Sequence, residues 1–145
     1  MTVHVRFRET FPLRVAEWFT SGAMATWGLI TLANPGLFSE SRVLIELSHI
    51  LGQTTWGWLA LVGGLVGWTA LAINGALRRT PHVRVACAMV RCLIWIQITV
   101  ALLASGQATT ALAMYPWVLV LDIYNVFRAA ADAGHSDKAA APSGE

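Results

Sequence analysis

The chain has 145 residues, 56% hydrophobic and 12% charged, with a net charge of +2 and a mean hydropathy of +0.57. A water-soluble domain carries about a quarter charged residues, so a solvated surface on all sides is excluded. So small a net charge also argues against nucleic acid as a partner.

Four apolar segments, 15–33, 54–77, 85–104 and 108–127, are almost free of formal charge. Each comes close to the roughly 20 residues that a helix needs to cross about 30 Å of hydrocarbon. The composition therefore predicts an all-α membrane protein with four transmembrane helices plus one amphipathic interfacial helix. The first segment does not read as a cleavable signal peptide, because it contains Glu17 and lacks a small-x-small cleavage site. Nothing remains for a separate soluble domain, so the lipid bilayer is the first expected partner.

In chain order, residues 1–14 form a short arm in which Val3, Val5 and Phe7 alternate with His4, Arg6 and Arg8, suited to the headgroup layer. The first span is expected to stop at Asn34-Pro35-Gly36, where proline cannot continue a helix. Ser39 and Glu40 suit a helix start. Between 40 and 52, Arg42, Glu46, His49 and Gln53 fall on one side and Val43, Leu44, Leu47, Ile50 and Leu51 on the other, which predicts a helix lying on the membrane. Trp56 and Trp58 then sit where an aromatic belt belongs. Thr80 and Pro81 suit the start of the third spanning helix. Gly106 ends it, so spans three and four should form an antiparallel hairpin. Pro116 should bend the fourth span or free the carbonyl of Leu112. Gly134 should stop that helix, leaving 134–145 as a disordered tail.

Orientation follows from the cations. Arg6, Arg8, Arg14, Arg78, Arg79, Arg84, Arg128 and Lys138 gather on one side of such a topology, against Arg42 alone on the other, which predicts that both termini are cytoplasmic.

Inside the bundle, Glu17, Asn74, Arg91 and Asp122 come one from each span at comparable depth, and Asn125 lies one turn from Asp122. Ionised groups in hydrocarbon cost at least about 3 kcal/mol, so these residues should face inward and pair, with Arg91 beside either Asp122 or Glu17. Such a cluster either clamps helix register or lines a proton or ion route. Gly63-x-x-x-Gly67 and Gly22-x-x-x-Thr26 allow close backbone approach, whether within the chain or between copies, so a homo-oligomer is expected.

Catalytic chemistry finds little support, and no enzymatic activity is expected. Glu46-x-x-His49 has di-metal spacing but lacks the second copy and further carboxylates such a site needs, so no metal is expected. Cys87 and Cys92 point to different faces and belong to no redox motif. No histidine lies deep in a span to hold haem, and no cofactor is expected.

Trp27-Gly28, the Asn74-Gly75 turn leading to Arg78, Arg79, Thr80, Pro81 and Arg84, and the run from Asp122 through Tyr124, Asn125, Arg128 and Asp132 resemble small membrane proteins encoded by tailed bacteriophages and prophages. The likeness extends through Gly134 and supplies no catalytic residues. It implies residence in a bacterial inner membrane and a holin-like role, in which copies assemble and breach the bilayer. The alternatives are a partner-binding membrane protein, acting in superinfection exclusion or host takeover, and a small channel or transporter.

Overall fold

The computed structural model describes residues 14–76 and 81–140, with side chains for 14–73 and 82–135. Residues 1–13 of the expected arm over 1–14 and the loop carrying Arg78, Arg79 and Thr80 lie outside the described residues. The apolar runs form long helices, α1 (Val15–Ala33), α4 (Gln53–Ala76), α5 (Pro81–Ala104) and α6 (Tyr115–Ala140). Two single-turn pieces, α2 (Leu37–Glu40) and α3 (Ile45–Ser48), join α1 to α4, and a 3₁₀ turn (Thr110–Ala113) precedes α6.

Three helical stretches, Gln53–Ile73, His82–Ala104 and Thr110–His135, are long and apolar enough to cross a membrane. Helix α1 is not among them, because Glu17, Thr20, Ser21 and Thr31 dilute its apolar content, yet all four are buried. The outward surface is apolar instead, with Phe19, Leu29 and Ile30 on α1, Trp58, Leu59 and Val62 on α4, Leu93 and Val100 on α5, and Trp117, Val120 and Phe127 on α6. A bundle with polar groups inside and large hydrophobes outside suits a hydrocarbon solvent.

Several expectations are corrected. The segment over 40–52 is not one helix: Gly36 takes a left-handed φ of 87° that opens α2, and the chain turns again over 42–44 before α3. Its amphipathicity survives in part: Val43 and Leu47 are buried and Leu44 half-buried, but Ile50 and Leu51 of the expected apolar side are exposed, as are Arg42 and His49, and Glu46 is half-buried. Gln53 does not belong to that polar face. It opens α4, where its Oε1 accepts from the Phe38 N–H at 3.0 Å and its Nε2 donates to the carbonyls of Thr31 and Asn34, both at 2.8 Å.

One amide thus pins the whole connection to the head of α4. Gln53→Ala should leave the fold intact and cost about 1 kcal/mol, since water reaches part of the site. Hydrogen exchange at the Phe38 amide should speed up accordingly, and an unchanged exchange rate would refute this anchoring.

Pro116 does not bend a span, because it is the second residue of α6, where its missing N–H costs no helical bond. Gly106, at φ 62°, turns the chain after α5 as expected. Gly134 does not stop α6, which runs on to Ala140 where a disordered tail was expected. Trp56 is not a belt residue: it is buried and donates its indole N–H to the Leu47 carbonyl at 3.0 Å.

Candidate functional site

Close approach of α1 and α4 sets the frame. The two run antiparallel, with Gly28 against Gly57 and Leu61, Ala25 and Ser21 against Gly64, Ser21 against Gly67, and Trp68 donating its indole N–H to the Trp18 carbonyl at 3.0 Å. A Cβ on Gly28 would lie 2.3 Å from the Leu61 nitrogen, and one on Gly64 would lie 2.5 Å from the Ala25 nitrogen. The backbones therefore touch without intervening side chains.

The seam uses part of the expected packing set. Gly22 packs under the Trp68 ring and Gly67 lies in the seam, but Thr26 is exposed and Gly63 has nothing within 4 Å of a built Cβ. Gly63 instead lines an outward apolar groove of about 430 Å³ between α4 and α5, together with Trp58, Val62, Val66, Ala86 and Cys87. The small face of α4 is thus Gly57, Gly64 and Gly67, one residue removed from the expected pattern.

Helices α5 and α6 also run antiparallel, and side chains from three helices close two polar layers between them. In the inner layer Arg91, 2% exposed, meets Asp122, 0% exposed. The Arg91 Nε donates to both carboxylate oxygens at 3.1 Å and Nη2 to Oδ1 at 2.9 Å. Thr20 of α1 donates its hydroxyl to Asp122 Oδ1 at 2.7 Å, and the Asn125 amide donates to Thr20 Oγ1 and to Asp122 Oδ1, both at 3.1 Å. Helix α4 contributes bare backbone: a Cβ on Gly67 would lie 2.9 Å from Arg91 Nη1 and 2.6 Å from Ser21 Oγ. The missing side chain is the room in which the guanidinium crosses the bundle.

The outer layer lies nearer the start of α1. Arg84 donates from Nε to Glu17 Oε2 at 2.9 Å and from Nη2 to Glu17 Oε1, while its Nη1 donates to Asp132 Oδ2 at 2.7 Å. All three guanidinium nitrogens therefore have carboxylate acceptors. Beyond the inner layer the core turns apolar and aromatic, with Met24, Trp27, Phe38, Leu47, Trp56, Trp95 and Ile98 packed together and Trp95 stacked on Tyr115 at 5.5 Å.

The expected single cluster is thus two. Glu17 pairs with Arg84 and not with Arg91, which takes Asp122. Asn125 joins Asp122 as expected, and the Asn74 side chain lies outside the described residues. Sequence reasoning missed Arg84, counted only among the cations that set the orientation, as well as Asp132 and Thr20. A signal for the first two existed: Arg84 and Arg91 lie seven residues apart on one face of α5, and Asp122, Asn125 and Asp132 share a face of α6.

Buried charge in such pairs is held by geometry, because each ion has lost its water and depends on its partner. Among the described residues no group of three or more His, Cys, Asp or Glu side chains is placed to hold a metal ion. Comparison with known protein families, curated proteins and solved structures finds no match. The functional reading therefore stands on the chain's own geometry.

Proposed function

We propose that this chain is a non-catalytic integral protein of a bacterial inner membrane, with four spans and both termini in the cytoplasm, that acts by assembling with copies of itself in the bilayer. The observation that carries the four spans is the pairing of α1 with α4. From Trp18 to Leu32, α1 lies antiparallel against Gly57 to Trp68, within a helix long and apolar enough to cross the membrane. Two helices in backbone contact over that length share one depth in the bilayer. An even number of spans then brings the arginine-rich ends to one side, as the distribution of cations favours.

Assembly is supported by where the surface is apolar. The ionisable groups Glu17, Arg84, Arg91 and Asp122 are turned inward and paired, so the outer faces of the long helices are dominated by hydrophobes, among them those around the groove at Gly63. The resemblance to small phage membrane proteins makes a holin-like outcome the sharpest form of the proposal.

Cys87 lines that groove, whereas Cys92 is buried, so the native thiol reports on it. Oxidation in isolated membranes should yield a covalent dimer that Cys87→Ser abolishes, and induction at high level should collapse the membrane potential. A monomer under oxidation with the potential intact would overturn self-assembly. Recovery of a different membrane protein on gentle detergent purification would then favour the partner-binding reading.

A further inference from the structure

At the end of the bundle where α1 begins, two guanidiniums stand outside the clamps. Arg14 and Arg128 are both half-buried, and neither forms an ion pair among the described residues. Arg14 Nη1 is shut away from solvent with no acceptor, a costly state for a guanidinium N–H. The neighbouring carboxylates are engaged elsewhere: both oxygens of Glu17 accept from Arg84, and Asp132 also accepts from Arg84.

The local field adds to this. Burial lowers the pKa of Arg14, repulsion from Arg84 lowers it further, Glu17 and Asp132 oppose that trend, and Arg128 again lowers it. Among the described residues that act on Arg14, the arginines Arg14, Arg84 and Arg128 outnumber the carboxylates Glu17 and Asp132 by one charge, which favours an anion there. A planar guanidinium fork matches a tetrahedral oxyanion in two hydrogen bonds, which a second arginine can double.

We propose that Arg14 and Arg128 together bind a phosphate-bearing anion, with the phosphodiester of an anionic phospholipid as the source that a place at the headgroup layer favours. This rests on the membrane placement above and is independent of the assembly role. Arg84 offsets one of the two charges on Glu17 and Asp132, and the two charges of Arg14 and Arg128 outweigh the one that remains.

The test reconstitutes the full chain in phosphatidylcholine vesicles, alone, with phosphatidylglycerol, or with inorganic phosphate, and follows binding by broadening of the phosphorus resonance. The wild type should bind phosphatidylglycerol saturably. Arg14→Gln with Arg128→Gln should bind it about tenfold more weakly, and Arg42→Gln, at the far end, should match the wild type. Saturable binding of inorganic phosphate alone, lost in the same double variant, would support the anion site with a free anion as its source. Equal binding by the wild type and the double variant, or none by either, overturns the proposal. Failure of the chain to enter vesicles at all would instead overturn the membrane placement, and the proposal with it.

Discussion

Asp122→Ala should lower stability in detergent micelles by about 3–5 kcal/mol, because it leaves the Arg91 guanidinium charged, buried and without its carboxylate. It also leaves Thr20 and the Asn125 amide without the oxygen that both use. Arg91→Ala should cost a similar amount by orphaning the carboxylate. The double change Arg91→Met with Asp122→Leu removes both charges and fills the space, so it should recover most of the loss. Thermal unfolding of the wild type, the single variants Arg91→Met and Asp122→Leu, and the double variant provides the double-mutant cycle. Additive losses would show that the two residues act separately and would refute the clamp. Recovery of stability with lost function would show that the clamp also has a working role.

The second large effect concerns the seam between α1 and α4. Gly28→Val should destabilise by about 3 kcal/mol or more, since even its Cβ would lie 2.3 Å from the Leu61 nitrogen and 2.7 Å from the Gly57 carbonyl oxygen, both backbone atoms that no rotamer change can move. Gly64→Val should behave likewise against Ala25 and Ser21. Gly63→Ala, one residue along, meets nothing within 4 Å. It should leave stability unchanged or raise it by about 0.5–1 kcal/mol, through helix propensity alone. Unfolding curves that ranked Gly63→Ala with Gly64→Val would place a different face of α4 in the seam.

The contrast between these glycines shows where reading the chain succeeds and stops. Apolar length located the long helices to within a few residues in most cases, because the cost of exposing polar groups to hydrocarbon acts on every residue of a span. The glycines were legible as a packing device, but the sequence around 63–67 offers Gly63, Gly64 and Gly67 together. Which of them touches α1 depends on the rotation of α4, and that rotation follows from where Ser21, Ala25 and Gly28 present their own small face.

The polar residues divide in the same way. That Glu17, Arg91, Asp122 and Asn125 face inward was readable from their place in apolar runs. Their pairing was not, because an arginine side chain reaches more than a turn along its helix, so depth estimates within one turn cannot choose between Asp122 and Glu17. Arg84 looked like a surface residue because arginines at span ends normally extend to the headgroups. It turns inward here because Glu17 and Asp132 converge on it from two other helices.

The sequence by itself determined the solvent of this protein, the long apolar helices and the inward address of its deep charges, since each follows from local hydrophobicity and helical period. The tertiary structure alone decided which charge meets which, which glycine bears the contact, and that Gln53 anchors a loop. Those outcomes depend on the rotation and vertical offset of helices far apart in the chain, and backbone contact between α1 and α4 fixes both.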